Sequence, residues 1–200
     1  MKIKSNMHDQ YFEGTLQLRN PDNEVKEYVE NQIDKAKNVF ISKIVKHKNG
    51  LDYYVSSRKF LHQLAKKLLV AFGGELKESP RLFSRNRQTG KEVFRLNVLF
   101  KLYDFKKGDI INIDKKIVKV TNISKSISSI NIKTGKKTTF NIKNKDYEIL
   151  DRKNTIVTKI KPVIEIMDPE TYQNVVVDNK AKVKHGEKVK VVICDGTWIV

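Results

Sequence analysis

Cysteine is nearly absent from this 200-residue chain, with Cys194 its only representative. A disulfide framework or a cysteine-rich zinc site within one chain is thereby excluded. The four histidines, His8, His47, His62 and His185, never fall in an HxxxH or HExxH pair, and each reads as a surface or packing residue. Neither a metal nor a cofactor is expected. Long apolar runs are also missing: nothing approaches the roughly 20 residues of a membrane span. Met1-Lys2-Ile3-Lys4-Ser5 lacks the apolar stretch of a signal peptide. The expectation is a soluble, cytoplasmic protein with no membrane partner. Catalytic motifs are lacking too. No glycine-rich phosphate loop, GxSxG elbow or cluster of histidines with carboxylates occurs. Lys107-Gly108-Asp109 reads as a barrel turn, Asp168-Pro169-Glu170 as a turn rather than an acid pair, and Cys194 as an inert thiol in an apolar strand. Neither an enzyme nor a small-molecule substrate is expected.

Acidic residues are the other shortage. Lys and Arg number 40 against 23 Asp and Glu, a net charge of +17, with an isoelectric point near 9.8. The apolar fraction of 39% falls in periodic runs, so the chain is foldable rather than disordered. The excess charge is +8 over residues 1–100, +7 over 101–150 and +2 over 151–200. Abundant Lys, Ile and Asn are also what a genome-wide bias produces. Arginine is more telling, because its planar fork recognises phosphate bidentately.

What is present begins with strand and helix signals. Tyr11, Phe12, Thr15, Leu16 and Leu18 read as part of a first strand over 9–19. Asn20-Pro21-Asp22 then starts a helix, Asn as cap and Pro at the first helical position, with Val25, Tyr28, Val29, Ile33 and Ala36 as its apolar stripe. A hairpin follows around Lys48-Asn49-Gly50. Asp52-Tyr53-Tyr54-Val55-Ser56-Ser57 leads into a second helix over 57–72, closed by Gly73-Gly74. Its apolar stripe is Phe60, Leu64, Leu68 and Phe72, beside Leu61, Ala65 and Leu69. Arg58, Lys59, His62, Lys66 and Lys67 lie opposite. On that helix alone a solvated face is the ordinary explanation. In the next hairpin, 76–84 and 93–102, Phe94, Leu96, Val98, Phe100 and Leu102 alternate, so one face is expected to be buried. It adds Arg81, Arg85, Arg87, Lys91 and Arg95, with Glu92 the one acid between Arg81 and Asp104, and this unbalanced charge points to a polyanion, nucleic acid first. The RNA-binding candidates are therefore Arg58, Lys59, Lys66, Lys67, Arg81, Arg85, Arg87 and Lys91. Tyr53 or Tyr54, Tyr103 and Tyr172 are the aromatics available for stacking, each expected to be half buried in its sheet.

The fold class expected is α+β: an antiparallel sheet with two helices on one face over 1–102, then two small all-β modules. Beyond Tyr103 the period is two. Four strands over 107–142 suggest an SH3-like barrel within 103–150, and the strands of 151–200, with a turn at Asp168 to Tyr172, suggest an OB-like module.

Tyr11-Phe12-Glu13-Gly14-Thr15-Leu16-Gln17-Leu18-Arg19, the Asp52 to Phe60 run, the hairpin from Ser79-Pro80-Arg81-Leu82 to Gly90, Phe105-Lys106-Lys107-Gly108-Asp109 and Met167-Asp168-Pro169-Glu170-Thr171-Tyr172 are similar, in the same order, to blocks of the nonsense-mediated-decay protein three family. That family comprises the large-subunit ribosomal export adaptors of eukaryotes and their archaeal relatives. The resemblance implies a late maturation factor or adaptor on the joining face of the large ribosomal subunit, with rRNA and ribosomal proteins as partners. Its two β units resemble translation factor five A, which implies contact near the tRNA exit site. The alternative is a free-standing RNA-binding module of that kind, acting in translation. The family's N-terminal zinc domain carries paired CxxC motifs, whereas this sequence has no cysteine before Cys194; it also lacks the acidic, leucine-rich export tail of eukaryotic members. A member without the zinc module, whether a shortened piece or a natural short form, is the expectation.

Overall fold

The computed structural model describes residues 11–85, 87–142, 145–177, 182–194 and 196–199. Two compact units divide the chain, the first ending at Asp104 and the second beginning at Phe105.

The first unit is α+β. In chain order it contains β1 (Gly14–Arg19), α1 (Asn23–Lys35), β2 (Ile41–His47), β3 (Gly50–Val55), α2 (Arg58–Phe72), β4 (Glu75–Arg85) and β5 (Glu92–Lys101). The sheet order is β2-β3-β1-β5-β4. Central β1 runs antiparallel to β3 and parallel to β5. The apolar alternation has a single consequence: Leu16 and Leu18, Tyr53 and Val55, and Leu96, Val98 and Phe100 all point to one face. There they meet Val25, Val29 and Ile33 of α1 and Leu61, Leu64, Ala65 and Leu68 of α2 in one buried cluster. Both helices lie on that face, as the apolar stripes require.

Two local details differ from the sequence expectation. Asp22, not Asn20, caps α1, its carboxylate accepting from the Val25 N–H at 3.0 Å. Asn20 instead closes β1 with a φ of +50° and donates its N–H to the Asn49 carbonyl at 3.0 Å. The alternation that was to bury one face of β5 from Phe94 onward begins only at Leu96. Phe94 is 38% exposed and Leu82, Phe83 and Val93 more so, because the outer part of the β4–β5 hairpin projects beyond α2.

The second unit is all β. It comprises β6 (Ile110–Ile113), β7 (Lys116–Ile123), β8 (Ile127–Asn131), β9 (Lys137–Phe140), β10 (Tyr147–Leu150), β11 (Lys153–Lys159), β12 (Glu165–Met167), β13 (Asn174–Val176), β14 (Lys188–Cys194) and β15 (Thr197–Ile199). These form two five-stranded sheets, β10-β6-β7-β8-β9 and β13-β12-β11-β14-β15. Ile110, Ile117 and Leu150 of the one share a buried cluster with Val192 and Ile199 of the other. Four of the five strands of the first of these sheets were legible in sequence; β10, which pairs antiparallel with β6, was not. The Asp168 turn forms as expected. The backbone N–H of Glu170 donates to its carboxylate at 2.7 Å, and that bond holds the carboxyl below its ordinary range. Tyr172, expected half buried, is 73% exposed. No helix among the described residues is long and apolar enough to cross a membrane.

Candidate nucleic-acid interface

The sequence-predicted cations occupy two surfaces of the first unit. α2 begins after Ser57, whose Oγ accepts from the Phe60 N–H at 3.3 Å, and its first turn holds no acid. Arg58 and Lys59 thus stand at the positive end of the helix dipole, where cations are disfavoured. The missing negative charge arrives from just before β1: Glu13 accepts the Arg58 backbone N–H on Oε2 at 2.8 Å. With that compensation, Arg58, Lys59, Lys66 and Lys67 are all exposed on the outer side of α2. Lys67 leans toward α1, donating to Gln32 Oε1 at 2.8 Å. His62 is tied by Nδ1 to Glu78 Oε2 at 2.6 Å.

Arg81, Arg85, Arg87 and Lys91 are exposed along the β4–β5 hairpin. Gly90, with a φ of +66°, lets the chain turn back, and Arg85 Nε donates to its carbonyl at 2.8 Å. Arg81 lies opposite Arg95 in the ladder, on the face of the sheet that the helices do not cover. The eight candidates therefore do not form a single patch. Arg58 comes closest to joining the two groups, since it lines a hollow of about 540 Å³ together with Phe83, Glu92 and Phe94 of the hairpin.

A third arrangement was not singled out in sequence. The Arg95 guanidinium lies 3.7 Å from the ring centroid of Phe12 and 3.3 Å from that of Phe83, held between both rings. Its Nε donates to the Phe12 carbonyl at 3.0 Å. Burial between the rings lowers its pKa from the ordinary arginine value. Phe12 in turn meets Tyr54 edge to face at 4.8 Å, and Lys43 Nζ stands 5.9 Å above the Tyr54 ring. Of the two tyrosines offered for stacking, Tyr53 is buried at 1% exposure in the core, and Tyr54 faces away from the helices. Strand parity was the available signal for Tyr54 and Arg95, which are out of phase with Val55 and Leu96; Phe12, which precedes β1 and is in phase with Leu16, carried no such signal.

Asp52 and Cys194 have structural partners. Asp52, 6% exposed, accepts from Arg19 at 2.7 Å and lies 3.1 Å from His47 Nε2. Cys194 Sγ accepts from Asn112 Nδ2 at 3.3 Å. Among the described residues no three His, Cys, Asp or Glu side chains are arranged to hold a metal ion; His8 lies outside them.

Residues 11–102 match the family model described as NMD3, second domain. No curated protein matches the chain.

Proposed function

We propose, from the match of residues 11–102 to the second domain of NMD3, that the protein belongs to that family and binds the large ribosomal subunit as an adaptor or maturation factor in late ribosome biogenesis, in the cytoplasm. The family match is the observation that carries the reading. The charge distribution supports it physically. A net +17 with Arg81, Arg85, Arg87 and Lys91 on an exposed hairpin suits a ligand that is a dense array of phosphates. Arg58, Lys59, Lys66 and Lys67 add a second basic surface on the outer side of α2, of which Arg58 comes nearest the hairpin. The two five-stranded sheets of the second unit support an SH3-like and an OB-like module.

Co-sedimentation of the full chain with purified ribosomal particles tests this. Recovery with isolated large subunits, and not with small subunits, is the expected outcome. Equal recovery with both would contradict it and leave only general RNA affinity. Equal recovery with joined ribosomes would move the role from assembly to translation.

A further inference from the structure

On the helix-free face of the first unit's sheet, a hollow of about 480 Å³ is walled by the rings of Phe12, Tyr54 and Phe83 and by Arg81, Arg95 and Asn97. We propose that this hollow is a stacking site for an unpaired RNA nucleotide, with Phe83 as the ring platform, Asn97 reading the base edge and Arg81 holding the phosphate. The proposal deepens the ribosome-binding reading and rests on it for the identity of the RNA.

Four observations converge. The volume lies within the roughly 300–1,000 Å³ of small-ligand pockets, so a base and its sugar fit. The ring of Phe83 is more than half exposed at 55%, yet its position is fixed because Arg95 is clamped between it and Phe12. A rigid, exposed aromatic face of this kind is what a base requires for stacking. Asn97 makes no side-chain hydrogen bond among the described residues, and Gln17 beside it reaches Asp52 only at 3.5 Å; amides offer both donor and acceptor to a base edge. Finally, the field is positive. Arg81 and Arg95 line the hollow, and the nearby acid, Asp52, is already paired with the Arg19 guanidinium at 2.7 Å. A base inside a duplex cannot reach such a platform, so the ligand is a single strand, a loop or a bulge.

The test uses the full chain and a fluorescent single-stranded adenosine hexanucleotide, alongside a duplex of equal length. Wild type should prefer the single strand at physiological salt. Phe83→Leu keeps the apolar bulk but removes the ring. It should weaken single-strand binding about tenfold, with the salt dependence and duplex binding unchanged. Asn97→Leu, at a half-exposed position, should give a similar loss and serves if the Phe83 variant folds poorly. Arg81→Gln should lower the salt dependence by about one phosphate contact. Equal wild-type affinity for single strand and duplex would overturn the proposal, as would wild-type binding by both Phe83→Leu and Asn97→Leu. If the protein sediments with large subunits but shows no single-strand preference, the nucleotide site fails and the ribosome reading stands. A single-strand preference lost in Phe83→Leu, without sedimentation, upholds the site and overturns the ribosome reading.

Discussion

Arg95 lies where a lysine would not serve. A flat guanidinium packs against the rings of both Phe12 and Phe83 and still directs Nε to the Phe12 carbonyl; a compact ammonium does neither. Tyr53 is fixed by the opposite means. Burial first, and the adjacent Glu30 carboxylate second, push its phenol up to about 12 from an ordinary 10.0. Ionisation of this side chain is therefore resisted by the fold. The stability it contributes is fully present below pH 10 and is lost as pH rises toward about 12. The shift corresponds to roughly 2–3 kcal/mol. Urea unfolding across that window should show a fall in wild type that is reduced in Tyr53→Phe; parallel curves for the two proteins would contradict it. In sequence, Tyr53 and Tyr54 were interchangeable as half-buried candidates for stacking. Parity separates them only once the partner strand is known: Tyr53 lies opposite Leu16 in the core, and Tyr54 opposite Thr15 on the other face.

At the scale of elements, α2 is the piece on which the basic surface depends. It comes so close to β1 that a Cβ on Gly14 would stand 2.5 Å from Leu61 Cδ2 and 2.6 Å from the Leu96 carbonyl oxygen. The Leu61 methyl could shift, but the Leu96 carbonyl is backbone and cannot step aside. Gly14→Ala should cost about 1–3 kcal/mol in urea unfolding. A neutral substitution would mean that the helix sits farther from the sheet. The helices, hairpins and turns of the first unit were legible because each carries its own signal: an apolar stripe, Asn-Gly, or Gly-Gly after a stripe. The elements that were misread lack one. β10 is four residues long and is defined by pairing with β6, far back in the chain. The cap of α1 was assigned to Asn20 by residue type, but Asn20 is held by the β1 ladder end, which leaves Asp22 to satisfy the helix. Phe94 keeps the strand's alternation, yet it lies beyond the first turn of α2 and stays exposed. The basic residues of the candidate site were legible as charge. Their division between the outer side of α2 and the projecting hairpin was not, since composition carries no information about which surface a residue occupies.

For the whole molecule the decisive quantity is how its charge is used. A net +17 concentrated in the first 150 residues predicts an interface dominated by phosphate contacts, each releasing counterions on binding. An apolar or protein-mediated interface would instead be nearly indifferent to salt. Arg85 and Arg87 are exposed at the end of the hairpin, away from the core, so reversing both to Glu leaves the buried cluster untouched. The measurement is large-subunit affinity against salt concentration for wild type and for the Arg85→Glu, Arg87→Glu double variant, with thermal unfolding as the check on folding. Wild-type affinity should fall steeply with salt, and the folded double variant should bind more weakly with a log–log slope reduced by roughly two. A flat wild-type salt profile, or a double variant with unchanged affinity and slope, would contradict binding through the basic hairpin.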